Sequence, residues 1–289
     1  MVTRVTRDAR ILWCCMRKVN AFGCAVLAVM MGVVLAAQTD GRQPVPRSDE
    51  NSRIAHAQLL DKARRGGIDV YFAGDSITRR WGTSDAAYRS FFEHWTTSFF
   101  GWNAANFGWG GDTVQNILWR LTDGELDGVH PKVIVVMAGT NNVGGTPRDG
   151  VDAAAAESVA NGMRAILDVM RTKAPEATVI LMGITPRTDS RGGASVMPTI
   201  EAINARYASF ADGRRIRYVN INHQLARGDG APREGVTVDG LHLSVTGYQV
   251  WADALKPIFT EILGPPAASD HGPPPTGDPS ASSTGSPTR

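Results

Sequence analysis

Five short strand-like runs pace the chain: IDVYFAG (68–74), AANFG (104–108), PKVIVVMAG (131–139), ATVILMG (177–183) and RRIRYVNIN (214–222). The third is the strongest, apolar and β-branched, and the first four end in glycine. Between the runs, apolar residues recur at helical spacing. RIAHAQLLDKARR (53–65) sets Ile54, Ala57 and Leu60 on one side, and SDAAYRSFFEHW (84–95) does the same with Tyr88, Phe91, Phe92 and Trp95. Further helices are predicted over 112–121, 151–172, 197–211 and 244–263, the last disturbed by Pro257. Strands that alternate with helices form a parallel sheet covered on both faces. With right-handed crossovers the expected fold is α/β: a doubly wound, flavodoxin-like three-layer α/β/α sandwich on a five-stranded parallel sheet.

Such sheets bind ligands beyond the carboxyl ends of their strands. Four polar or glycine clusters fall there: Asp75-Ser76 after the first strand, Gly110-Gly111 after the second, Thr140-Asn141-Asn142 after the third, and Asp239 to His242 after the fifth. Each has a bland reading alone. Ser76 would serve as a turn or cap residue, and Asp239-Gly240 is a common turn signal whose Asp would cap a helix starting near Ser244. Four clusters converging on one edge point elsewhere.

A serine hydroxyl is a poor nucleophile without a base. His271 lies in a tail, His56 and His94 lie on helices, and His130 enters the third strand at its wrong end. His223 is near the right edge but has no acid closely before it. His242 follows Asp239 by three residues, a spacing that sets both on one side of a turn. Ser76, His242 and Asp239 are therefore the candidate nucleophile, base and orienting carboxylate. Acyl transfer also needs donors aimed at a developing oxyanion. The Ser76 and Gly111 N–H groups and the Asn141 amide are the candidates. No residue remains that demands a metal or a phosphate, so neither metal nor cofactor is expected.

The segments GDSIT, NFGWGGDT, GTNN and DGLHLS resemble, in order, the four blocks of the SGNH (GDSL-type) hydrolases. The longer stretch NFGWGGDTVQNILWRLTDGELDGVHPKVIVVMAGTNN, 106–142, is similar to the catalytic subunits of the platelet-activating-factor acetylhydrolase branch. The resemblance covers about 65–255 and implies the SGNH fold and a serine esterase. It places the nucleophile on Ser76, the glycine and asparagine donors on Gly111 and Asn141, the base on His242 and the third triad member on Asp239. It also implies a small ester substrate with a short acyl group, acetyl above all. Those acetylhydrolase subunits are intracellular, and the start of this chain departs from that.

Arg17 and Lys18 precede an apolar run with small residues at its end, the pattern of a secretory leader over 1–37 cut near Ala36 or Ala37. An uncleaved anchor is the rival reading. Five basic groups and one acid lie in that stretch, so without it the formal charge of +2 becomes −2. That removes any charge-based case for nucleic acid. All three cysteines lie there too, which excludes a disulfide framework, cysteine–zinc sites and a cysteine nucleophile from the remainder. Expected organisation is a leader (1–37), a linker (38–50), a hydrolase domain (51–264) and a disordered Pro/Ser/Gly-rich tail (265–289). The expected location is secreted, periplasmic or cell envelope, with no stable membrane insertion after cleavage.

Trp81 and Trp109 follow the Ser and Gly loops and are candidates to line the acyl pocket or stack on a sugar, against the reading that they pack loops onto the sheet. Arg79 and Arg80 read as a solvated rim, and the GGTPRDG stretch (144–150) as a turn. Three functions stay open: an esterase of small acyl groups, including acetylated carbohydrate; a lysophospholipase or lipase; and a non-catalytic sugar- or lipid-binding module. Loss of Ser, His or Asp would mark the third, and none is lost. No long apolar insertion offers a lid for the second.

Overall fold

A computed structural model describes residues 40–144, 150–188 and 196–280. The chain divides into two units, 1–40 and 41–289, and all described residues but Asp40 belong to the second. The expected leader and most of the 144–150 turn lie outside the described residues.

All five expected strands form, trimmed at their ends: β1 (Val70–Gly74), β2 (Ala104–Gly108), β3 (Val133–Met137), β4 (Thr178–Met182) and β5 (Ile216–Val219). They make one sheet in the order β2-β1-β3-β4-β5, with every neighbouring pair parallel. The order reverses between β1 and β3, the switch point of a doubly wound sheet. β1 and β3 are buried at every position and so read as unbroken apolar runs. β5 is an edge strand with only Ile216 buried, and its sequence alternates.

Eight helices pack around the sheet among the described residues: α1 (Glu50–Arg65), α2 (Ser76–Trp81), α3 (Arg89–Phe99), α4 (Val114–Arg120), α5 (Ala153–Lys173), α6 (Met197–Ala208), α7 (Asn222–Leu225) and α8 (Val245–Leu263). Alternate residues of a strand point to opposite faces, so the sheet divides its side chains between two cores. Tyr71, Ala73, Ile134 and Val136 pack under α1, α4, α5 and α6. Val70, Phe72, Val133 and Val135 pack under α2, α3 and α8. Helix α8 runs through Pro257, held by the buried face of Tyr248, Trp251, Leu255 and Phe259.

Register sets the site. Gly74 lies opposite both Gly108 and Met137, so three strands end level and their loops leave side by side. Gly74 is required there: a Cβ would lie 2.0 Å from Thr78 Oγ1 and 2.9 Å from the Met137 carbonyl.

Both flanks differ from their sequence reading. In the expected linker, Val45 N donates to Gln115 O (3.1 Å) and Val45 O accepts from Asn116 Nδ2 (2.9 Å). The expected disordered tail is laid over the domain as far as Ser280. Asp270 Oδ2 accepts from Gly101 N (2.7 Å) and Asn103 N (3.2 Å), Thr276 accepts from Thr83 Oγ1 (3.0 Å) and Lys62 Nζ (2.9 Å), and Asp278 accepts from Asn51 Nδ2 (2.8 Å). Composition correctly denies this segment a core of its own. It docks instead through polar anchors, and its prolines reduce the entropy lost on ordering.

Candidate active site

β1 hands the chain to α2 in one step. Asp75 Oδ1 accepts from Ile77 N at 2.9 Å and caps the helix, so Ser76 is the first helical residue. Its backbone N–H is one of those a helix start leaves without an intrahelical partner. The cap is therefore Asp75, and Ser76 is presented at the sheet edge. Asp75 is wholly buried, its Oδ2 has no partner, and burial, reinforced by Asp112 nearby, pushes its carboxyl up to about 7.

Ser76 Oγ is 2.9 Å from His242 Nε2, and His242 Nδ1 is 2.7 Å from Asp239 Oδ2. A tight loop makes the second contact. Gly240 takes φ +78, Val238 N donates to His242 O (2.9 Å), and Asp239 Oδ1 accepts from Leu241 N (3.1 Å) and His242 N (2.8 Å). Ser244, not Asp239, caps α8. Burial works against the Asp239 charge, but the hydrogen bonds from His242 and Leu241 outweigh it and hold the carboxyl down at about 2. Arg80 Nη1 stands 3.4 Å from Asp239 Oδ2. A carboxylate ionised at neutral pH thus faces one imidazole nitrogen, and the other is placed to take the serine proton.

The expected donors gather beside this dyad of loops. Gly111 sits at φ +77, a conformation open to glycine, and a Cβ there would meet Arg47 Nη1 at 3.2 Å. Asn141 lies in the helical turn Thr140–Asn142 after β3, and its Nδ2 donates to Asp112 O at 2.9 Å. An amide nitrogen carries two N–H groups, and this bond uses one. Asn142 ties the same turn to α4: its Oδ1 accepts from Val114 N (3.0 Å) and its Nδ2 donates to Gln115 Oε1 (2.8 Å). Buried Arg187 holds Thr140 through its carbonyl (2.7 Å) and hydroxyl (3.1 Å).

Both tryptophans are buried. Trp81 is fully buried, stacked on Tyr248 at 4.7 Å and donating to His94 Nδ1 at 3.0 Å. Trp109 is buried with its indole N–H on Ser52 Oγ (2.8 Å) and Arg79 over its ring at 4.8 Å. α2 turns Trp81 inward, because a helix residue five positions after Ser76 faces the sheet. Arg79 is mostly buried and pairs with Asp85 and Asp278, so it is no solvated rim. Among the described residues no cluster of His, Cys, Asp or Glu could hold a metal ion.

Sequence reasoning missed three groups: Asp75 as a buried cap, Arg47 against the Gly110 carbonyl (2.9 Å), and the buried Arg120 with Asp112 (2.7 Å). Arg120 left a signal, since it interrupts the apolar stripe of ILWRL.

The parallel α/β/α sheet thus gathers a hydroxyl, an imidazole, a carboxylate and an amide N–H at its C-terminal edge. Residues 72–250 match the GDSL-like Lipase/Acylhydrolase family. The alpha2 subunit of platelet-activating factor acetylhydrolase IB from Rattus norvegicus is 32% identical over 222 residues, 75% of this chain and 87% of that protein. The alpha1 subunit from Bos taurus is 32% identical over 213 residues, 72% of this chain and 82% of that protein. A GDSL-like lipase structure from Bacteroides thetaiotaomicron superposes with a TM-score of 0.55 at 20% identity, covering 74% of this chain and 98% of its own, which shows the shared fold. The chain belongs to the GDSL-like lipase/acylhydrolase family and is a carboxylic ester hydrolase.

Proposed function

We propose that the protein hydrolyses short-chain carboxylic esters, acetyl esters above all, with Ser76 as nucleophile, His242 as base and Asp239 as the carboxylate that fixes the imidazole. The observation that carries this reading is the unbroken relay from Ser76 Oγ through His242 to Asp239 at 2.9 and 2.7 Å. His242 Nε2 takes the proton as Ser76 Oγ attacks the ester carbonyl. The oxyanion meets the Ser76 and Gly111 N–H groups and the second N–H of Asn141. The imidazolium then protonates the leaving alcohol, and water repeats the sequence on the acyl-enzyme. The non-catalytic alternative is disfavoured, because every group this chemistry needs is present.

Two relatives are named acetylhydrolases, which supports acetyl as the acyl group. Nothing supports a sugar as the alcohol, and the same relatives favour a lipid alcohol. The leader-like start at 1–37 supports action outside the cytoplasm. Aryl esters from acetyl to palmitoyl test the acyl reading. A closed pocket gives kcat/KM that falls as the chain lengthens. An open groove gains roughly 0.8 kcal/mol per buried CH₂, so rates climbing to palmitoyl would move the protein to the long-chain lipases.

A further inference from the structure

The interior beneath the site holds an ionic cluster that the hydrolytic relay does not use. Arg120, at the end of α4, is buried. Its Nε donates to Asp112 Oδ2 at 2.7 Å, its Nη1 to the Phe107 carbonyl at 3.0 Å and to Glu125 Oε2, and its Nη2 to the Gly74 carbonyl at 3.3 Å. Glu125 is held in turn by His56 Nδ1 at 2.7 Å. Burial works against the Arg120 charge, but Glu125 and Asp112 outweigh it and keep the guanidinium protonated.

Buried ion pairs are costly, and apolar side chains of similar volume are often as stable or more so. Charge retained here calls for another reason, and its targets supply one. Gly74 immediately precedes Asp75-Ser76, and Phe107 lies at the end of β2, where the Gly110-Gly111 loop begins. Asp112 follows Gly111 directly, and its carbonyl is the acceptor that orients the Asn141 amide at 2.9 Å. A single planar fork therefore grips the approach to all three oxyanion donors. Lysine would keep the charge but present one point donor in place of the fork.

We propose that Arg120, acting through Asp112, is a positioning residue for the oxyanion hole: it fixes the loop that carries the Gly111 N–H and orients Asn141. The proposal rests on the donor roles assigned to Gly111 and Asn141 above. Arg120 touches no reacting atom, so its effect falls on kcat and not on substrate capture.

The test is Arg120→Lys, with Asp112→Asn as a milder second variant, assayed on an aryl acetate. Competent sites are counted by fluorophosphonate titration and kcat is expressed per site. Arg120→Lys should lower kcat by about 10²-fold with KM within about twofold, the scale of a disturbed oxyanion donor. Asp112→Asn should act in the same direction and less. In an Asn141→Ala background the loss from Arg120→Lys should shrink several-fold, because part of what it positions is gone. A purely structural arginine would reduce the titratable fraction and the melting temperature and leave kcat per site intact. That result in both variants overturns the proposal, as do strictly additive losses in the double variant. Full kcat in Asn141→Ala alone would strike the donor reading itself, and the proposal with it.

Discussion

Replacing Asp75 by Asn should cost stability at acid pH and shift the balance towards the variant as pH rises. The carboxyl is buried, its Oδ2 has no partner, and burial moves it from the ordinary 3.8 to about 7. Between those values the folded state keeps a proton that the unfolded chain has already released. Stability from this group is therefore fully present below 3.8, falls as pH rises towards 7, and is level above. About three pK units at about 1.36 kcal/mol each give roughly 4 kcal/mol across the whole window. Asn carries no such proton. It can still accept from Ile77 N, but its buried NH₂ costs about 1–3 kcal/mol at every pH. The pH-dependent part survives that offset. Urea unfolding of both proteins at pH 4.5 and pH 8 should show a difference in unfolding free energy that shifts towards the variant by about 3 kcal/mol between the two conditions. Groups that titrate alike in both proteins cancel. A difference that is the same at both pH values would refute the buried, proton-holding carboxyl.

Asn141→Ala should lower kcat on aryl acetates by about 10²–10³ with KM nearly unchanged, because the proposed donor acts on the developing oxyanion; a loss confined to KM would show that it holds ground-state substrate instead. Ending the chain at Gly264 removes the anchors at Asp270, Thr276 and Asp278 and should lower the melting temperature by several degrees, at about 0.5–1.5 kcal/mol per hydrogen bond lost. An unchanged melting temperature would return the segment to a passive tail.

The sheet was legible because β1 and β3 are buried on both faces and so carry no polar residue to blur them. The gathering of the candidate residues on one edge was legible because parallel strands that end in register put their loops together, and the segments around Ser76, Gly111, Asn141 and His242 are each short and glycine-marked. Helix α2 was not legible. Six residues leave too little periodicity to read, and its cap, Asp75, hid inside the motif. Trp81 was ambiguous for the same reason, since its facing depends on a helix that the sequence did not announce. The C-terminal segment was misread because composition reports the lack of a private core, and docking depends on partners such as Lys62 and Gly101 far away in the chain. Arg120 is the instructive omission: a charge within an apolar stripe marks a buried polar network before any coordinates exist.

Attack on the ester by Ser76, with His242 as its base, can be read by reacting the intact protein with a fluorophosphonate and locating the adduct by peptide mass spectrometry. One adduct per chain, on Ser76, absent from Ser76→Ala and strongly slowed in His242→Ala while both variants stay folded, is the expected result. An adduct on any other residue, or labelling that proceeds at the wild-type rate without His242, would contradict it.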